Sequence, residues 1–511
     1  MHNILKNAVF SYAITENAEA EFAQHLPLAE NLVLNYTEAT EVKWAENDSK
    51  THRVVVLGLC VDAHGELTRD QIPDFLMKSS EQGGLSQAWT AANRCAGKFL
   101  IYLQCPAGSF IWGDATCSLG IYYRHSSAAP AVAVSENLAA YYGKITGSKL
   151  NDGKITGSKL NDGTINAEQE LDIEITKNAP LGQPLPADRS SYKKVRMLLP
   201  NHALDLSTYR ARRLSLPAVK PVFDIEDIAA ISERLIANIY REYAKYYQLT
   251  CPLTAGYDSR MNFAFAQKMS GDIPYYTFKH PGFSEQTPDL QIAQRLCAVY
   301  GREHQVVADL QMPPEEQEKY RALIGRDCSE YALHLAYTYK QAFGTRALLN
   351  GNNIDQIGKS VTGNSIPLPL IGPHFVRARI YNSGRAALAI LKEYLSQIPG
   401  AERKYLADLV AWENDCCRWA GQSEITYGIC GVNMLNLYNC RELLMLWVQV
   451  PRKKRVTKQI HQALFRRLDM QLLSFPFTPE SRIKRFLRLH WWAFYLAAFP
   501  YAALVTLRSR R

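Results

Sequence analysis

The chain has eleven cysteines but no Cys-x-x-Cys pair; the closest two, Cys416 and Cys417, are adjacent. That spacing argues against a structural zinc site. With no secretory signal at the N-terminus, it favours reduced thiols in a cytoplasmic protein. Acidic residues are scarce at one end. From Pro451 to Arg511 there are fourteen Lys and Arg against two acids, so the formal charge of +9 belongs to this tail and the rest is slightly negative. No nucleic-acid recognition motif accompanies the charge, and nucleic acid is not expected as a partner. A long apolar run is missing too. "HWWAFYLAAFPYAALVTL" (490–507) stops at eighteen residues, the lower limit for a spanning helix, with Pro500 inside it. Flanked by "RIKRFLRL" and "RSRR", this stretch reads as a helix packed on the body, as an interfacial helix on an anionic membrane, or as a span.

What is present is ordinary for a globular protein: 511 residues, 47% hydrophobic and 21% charged, long enough for two large domains. "GKITGSKLND" occurs at 143–152 and again at 153–162. Two copies are too few for a solenoid, so the repeat reads as a duplication lengthening a surface loop, with Asn-Asp-Gly turns that suit a hairpin. Short β-type runs precede it: "RVVVLGLCV" (53–61), "KFLIYLQC" (98–105), "GSFIWGD" (108–114), "LGIYYR" (119–124) and "AVAVS" (131–135). Beyond about Lys220 long helical patterns take over, such as "IEDIAAISERLIANIYREYAKYY" (225–247). The prolines of "SLPAVKPVFD" (215–224) mark the boundary, giving domains at 1–215 and 222–480 and a basic, aromatic segment at 481–511.

The second domain opens with an alternation: strand "LTCPL" (249–253), loop 254–259, a helix from about Ser259 to Ser270, strand "YYTFK" (275–279), helix 288–301 and strand "HQVV" (304–307). Such alternation predicts a parallel sheet with crossover helices, and ligands bind at the C-terminal ends of its strands. The loop "TAGYDS" lies at that end. A helix N-terminus suits phosphate, Gly256 permits close approach, and Ser259 can donate. Asp258 would repel phosphate unless a divalent cation lay between them. The alternative is an ordinary turn in which Asp258 or Ser259 caps the helix.

The loop resembles the Ser-Gly-Gly-x-Asp-Ser pyrophosphate loop of the asparagine synthetase family, with Thr254, Ala255, Gly256, Asp258 and Ser259 in place and Ala255 where the family has Gly. "TPDLQIAQRLCAVYGREHQVV" (287–307) is similar to the family's Ser-Pro-Asp-Leu helix and next strand, and "YYTF" (275–278), ending at Phe278, to the strand that meets adenine. "LLNGNNIDQIGKS" (348–360) resembles Ser-Gly-Glu-Gly-x-Asp-Glu-x-x-Gly, with Gly351 and Asp355 in place, Gly358 one position early, and Asn352 and Gln356 where the family has acids. An amide accepts no proton at neutral pH, so another base or nucleophile would serve the second half-reaction; His334 and Glu330 qualify by type alone. In "YNCRELLMLWVQVPRKKRVTKQIHQALFRRL" (438–468), Lys458 best matches the lysine that neutralises pyrophosphate, with Arg455 second.

The resemblance implies an N-terminal αββα sandwich of the N-terminal-nucleophile type, followed by an α/β pyrophosphate-loop domain like the adenine nucleotide alpha hydrolases. "AGKFLIYL" (96–103), "GDATCSLGIYY" (113–123) and "AVAVSENLAAYY" (131–142) resemble the family's glutaminase scaffold, yet His2 stands where the family's nucleophilic cysteine would be. Cys60, Cys95, Cys105 and Cys117 cannot replace it, since an internal cysteine has no α-amine beside it to act as base. The implied activity is an AMP-forming carboxylate–amine ligase using ATP and Mg²⁺ but no glutamine. Asp258 and Asp355 would hold the metal, and Asp355 and Lys458 would act on the reacting phosphates. Its partners would be a small-molecule or peptide carboxylate and an amine or ammonia, as in surface-polysaccharide or natural-product assembly. The competing reading is a binding or scaffold protein that kept the fold and lost the chemistry.

Overall fold

The computed structural model describes the chain apart from residues 1–4, 30, 125–130, 144–149, 152–153, 156–171, 173–183, 218–221, 223, 270–271, 327, 351–355, 360–366, 381–385, 479 and 509–511. The N-terminal half is built on antiparallel strands: β1 (Tyr12–Thr15), β2 (Gln24–Ala29), β3 (Leu32–Tyr36), β4 (Val42–Glu46), β5 (Arg53–Asp62), β6 (Cys95–Cys105), β7 (Gly108–Gly113), β8 (Tyr122–Arg124), β9 (Val132–Ala133), β10 (Leu150–Asn151), β11 (Lys154–Ile155), β12 (Val195–Met197), β13 (His202–Asp205) and β14 (Arg210–Arg213). Two six-stranded sheets result, ordered β12-β8-β9-β1-β3-β2 and β14-β13-β7-β6-β5-β4. Alternation along β5 and β6 divides their side chains between two buried faces. Val55, Leu57, Leu100 and Tyr102 meet Tyr12 and Ile14 of the first sheet. Val54, Val56, Phe99 and Ile101 meet Leu76 and Trp89 of helix α1 (Gln71–Ala92).

The run 119–124 is a strand only from Tyr122. Asp114 gathers the N–H groups of Thr116 and Ser118, each at 3.0 Å, and curls 114–118 into a turn. After β9, Ser135 caps helix α2 (Glu136–Tyr142), its Oγ accepting from the Leu138 N–H at 3.3 Å. In the duplicated segment β10 pairs antiparallel with β11, while residues 152–153 of the expected turn lie outside the described residues.

Helix α3 (Ile225–Tyr246) opens the second half, capped by Asp224, whose Oδ1 takes the Glu226 N–H at 2.6 Å. There follow β15 (Leu249–Pro252), α4 (Tyr257–Met269), β16 (Tyr275–Lys279), α5 (Pro288–Val299), β17 (His304–Ala308), α6 (Glu330–Phe343), β18 (Ala347–Leu349), α7 (Pro373–Ile380), α8 (Gln422–Ile429), β19 (Met434–Leu435), α9 (Arg441–Val448), α10 (Gln459–Leu468), α11 (Arg482–Leu489) and α12 (Trp491–Arg508). The five strands form a parallel sheet ordered β17-β16-β15-β18-β19. The chain is therefore mixed, with antiparallel sheets first and a parallel α/β sheet second.

Proline and composition separate the two halves, but burial does not: apolar side chains from both form one continuous cluster. Buried polar contacts lock the seam. Asn439 Nδ2 donates to the Gly97 carbonyl at 2.6 Å and to Asp114 Oδ1 at 2.8 Å, and the Gly97 N–H returns to the Asn439 carbonyl at 3.1 Å. Gly97 has φ +121°, and a Cβ there would stand 2.2 Å from the Leu59 carbonyl oxygen, so no other residue fits. Arg213 of β14 donates to Glu413, which also accepts from Asn201 and Tyr394. The attraction of Arg213 holds this buried carboxyl below its ordinary range although burial pushes the other way.

Candidate functional site

Helix α4 begins at Tyr257, two residues before the expected start, so Asp258 and Ser259 stand in its first turn. Ser259 does not cap the helix. Its Oγ accepts the Thr254 N–H at 3.0 Å and contacts Thr254 Oγ1 at 2.8 Å, which in turn accepts the Gly256 N–H at 3.1 Å. Asp289 of α5 accepts the N–H of buried Ala255 at 3.0 Å. Three loop donors suited to an anion are thus held by two hydroxyls and a carboxylate. Gly256 does not have the positive φ that demands glycine; a Cβ there would lie 3.3 Å from Thr254 Oγ1, so its smallness leaves that hydroxyl room.

Thr254, Gly256, Asp258, Ser259 and Phe278 line one cavity of about 430 Å³ at the C-terminal ends of β15, β16 and β18. Ala255 lies behind it. Asp289 enters the same cavity, so two carboxylates face the space beside the loop. Tyr276 and Phe278, two apart on β16, point the same way. The wall continues through His280, Phe283 and Tyr331, with His280 and Tyr331 rings stacked at 5.8 Å and the Tyr331 hydroxyl 3.2 Å from His280 Nδ1. The wall is aromatic, with Phe278 edge-on to His280, and its rings offer faces on which a base can stack. The short Thr-Pro-Asp-Leu segment contains Asp289, but nothing local to it announces contact with Ala255. The aromatic wall was not legible either, because Tyr331 comes from a helix more than fifty residues beyond β16.

Lys458 stands against the loop rather than in the cavity wall. Its Nζ is 4.0 Å from the centroid of Tyr257, whose ring lies parallel to Phe477 at 3.8 Å; the Arg260 guanidinium is 3.8 Å from the Phe477 centroid. Lys458 holds φ +62°, a conformation L side chains adopt at a cost of about 1–2 kcal/mol, and strain of this kind collects at functional positions. Arg260 is buried, and burial pushes its guanidinium down to about 10. It donates to the carbonyls of Ala255, Leu472, Phe475 and Pro476.

Arg455 is corrected: it is buried in a two-pronged pair with Asp408, both bonds at 2.9 Å, and does not face the cavity. His334 accepts the Met312 N–H at 2.9 Å through Nδ1, a structural contact; Glu330 lies 3.6 Å from its other nitrogen. Neither lines the cavity. Gly351, Asn352 and Asp355 lie outside the described residues, as does His2. Among the described residues no three His, Cys, Asp or Glu side chains group as a metal site. Asp258 and Asp289 both line the cavity; Mg²⁺ is commonly held through one or two carboxylates, with water and substrate phosphates completing its shell.

Behind the cavity wall sits a carboxyl that sequence reasoning missed. Glu424 of α8 is buried and accepts from Nδ2 of Asn350, a wall residue, at 3.0 Å. Burial pushes its carboxyl up to about 7 despite the attraction of Lys98, whose Nζ donates to the Glu424 carbonyl at 2.8 Å and is itself pushed down by burial. Compared with protein-family models and with curated proteins, the chain matches none. Because the folded state holds the Glu424 proton above the ordinary glutamate range, this residue's stabilising effect is full in acid and is lost as pH rises through about 7. Unfolding free energy of the wild type therefore falls from pH 5 to 8 relative to Glu424→Gln by on the order of 3 kcal/mol. Parallel pH profiles in urea titrations would refute the raised carboxyl.

Proposed function

We propose that the chain is an ATP-dependent carboxylate–amine ligase of the asparagine synthetase type, forming AMP and pyrophosphate. One observation carries the reading: three polar side chains from 254–259, a second carboxylate and an aromatic strand-end wall converge on a single cavity at the carboxyl edge of a parallel sheet. ATP supplies the electrophilic phosphorus that turns a substrate carboxylate into a good acyl donor. Phe278, His280 and Tyr331 offer the base a stacking surface. Thr254 and Ser259 would exchange their mutual hydrogen bond for phosphate oxygens, and Asp258 and Asp289 would hold Mg²⁺, whose charge would offset the repulsion between these carboxylates and the phosphates. Lys458 and the N-terminal turn of α4 meet the charge that grows on the leaving pyrophosphate.

Nitrogen comes from ammonia or a bound amine, with no glutaminase step. All eleven cysteines are buried, and burial pushes the thiols of Cys60, Cys251 and Cys430 up, away from the nucleophilic thiolate. One observation favours the scaffold alternative: the three loop N–H donors are already satisfied internally. Carboxylate-dependent exchange of labelled pyrophosphate into ATP separates the two readings. With a panel of uronic acids, amino acids and acidic peptides, the ligase supports exchange, and Asp258→Asn lowers it by about a hundredfold. Equal exchange by both proteins would remove Asp258 from the chemistry, and none by either would favour the scaffold.

We further infer that the protein works in the cytoplasm against an anionic membrane surface. Among the described residues no helix is long and apolar enough to cross a membrane. Helix α12 lays Trp491, Phe494 and Tyr495 on the body, with Tyr495 stacked on Phe375 at 5.1 Å. Ile483, Phe486, Leu489, Trp492, Leu496 and Phe499 recur every three or four residues and are exposed, Ile483 by 73% and Leu496 by 63%. Exposed Arg482 and Arg485 accompany this stripe, the combination that partitions to an anionic interface. Co-sedimentation with phosphatidylserine-containing vesicles is expected for the wild type and lost in Ile483→Glu/Leu496→Glu. Equal sedimentation of both, or none by the wild type, would refute it.

A further inference from the structure

A second cavity is larger than the one at the loop. A space of about 810 Å³ lies between the N-terminal sheets and the second half, and shares no lining residue with the first cavity. Its size suits a small organic ligand. Leu85 and Trp89 of α1, Leu214, Leu216, Leu235 of α3 and Leu446 of α9 make the apolar walls. Trp89 cannot swing in to fill it. Its indole N–H donates to the Ser215 carbonyl at 2.7 Å, the Arg441 guanidinium lies 4.1 Å from its ring, and Trp112 meets it edge-on at 6.3 Å.

Asn93, at the end of α1, is the polar feature that needs explaining. It is 5% exposed, its backbone carbonyl accepts the Glu442 N–H at 3.1 Å, and neither its side-chain oxygen nor its nitrogen has a partner among the described residues. A buried amide left unpaired costs about 1–3 kcal/mol; Asn93 lines the cavity while its amide atoms are shielded from it, so a turn of the side chain toward a ligand would recover that cost. The charges around it are unevenly spent. Arg94 is held by Asp62 and Glu66, Arg213 by Glu413, and His64 and Glu442 bind each other at 2.8 Å. Arg212 lies over the Phe110 ring at 4.5 Å, and neither it nor Arg234 has a carboxylate partner among the described residues. Both are exposed at the mouth.

We propose that this cavity binds a small amphipathic acid. The apolar body packs on Trp89 and the leucines, an amide or carboxyl group pairs with both halves of the Asn93 side chain, and the anionic group meets Arg212 and Arg234. The ligand would touch both halves of the molecule and tighten the seam. The site is independent of nucleotide binding at the loop.

N-octanoylglycine, which carries all three elements, is the probe, added to the full chain in calorimetry and thermal unfolding. Saturable binding and a raised Tm are expected. Affinity should fall about tenfold or more for the uncharged N-octanoylglycinamide, for Asn93→Leu, and for Arg212→Gln/Arg234→Gln. The double glutamine change alters exposed side chains alone, so it reports even if Asn93→Leu fails to fold. No binding up to about 10 mM, or binding that the double change and the loss of the probe's charge leave untouched, overturns the proposal.

Discussion

The loop at the centre of this molecule depends on one buried guanidinium. Arg260 projects from the first turns of α4, and its two terminal nitrogens donate to four backbone carbonyls, one from the loop at Ala255 and three from 472–476. A cation buried this way is unfavourable unless its donors are met, and carbonyls meet those of its terminal nitrogens here without adding a negative charge beside the loop. The same segment carries Phe477 between Arg260 and Tyr257, so the stack that seats Lys458 rests on the clamp as well. Asp289 completes the frame by holding the Ala255 N–H, with Thr478 donating to the Ala255 carbonyl at 3.2 Å from the other side.

A second constraint links the halves. The chain could have kept them as separate bodies joined by its proline-rich link, yet Asn439, Lys98 and Arg213 each carry a buried polar contact across the seam, within one apolar cluster. Breaking one partner of such a contact leaves the other buried and unmet, which costs more than the contact itself yields. The antiparallel half is therefore a wall of the second half rather than an appendage. Through Lys98, Glu424 and Asn350 its influence reaches the edge of the loop cavity.

Much of this was legible in the sequence where the cause is local. Strand periodicity and turn residues mark 249–253, 275–279 and 304–307 to within a residue or two, and the Gly-Tyr-Asp-Ser stretch marks the strand-to-helix turn. What could not be read is what arises from distance along the chain. Asp289 reaches Ala255 from the next helix, three of the four Arg260 acceptors lie more than two hundred residues away, and Glu424 looks like any acid in an amphipathic helix until its burial is known. Arg455 and Lys458 stand three residues apart in one basic run. Only packing tells that the first neutralises Asp408 while the second is turned onto Tyr257.

The proposed function requires the loop to be a nucleotide site that needs a cation to reconcile Asp258 and Asp289 with phosphate. The direct measurement is a calorimetric titration with α,β-methylene-ATP, with and without Mg²⁺, beside Asp258→Ala. Saturable binding that requires Mg²⁺ and weakens about tenfold or more in the variant is the predicted result. Folded wild-type protein that binds no analogue, or binds it equally well without the metal or without Asp258, would contradict it.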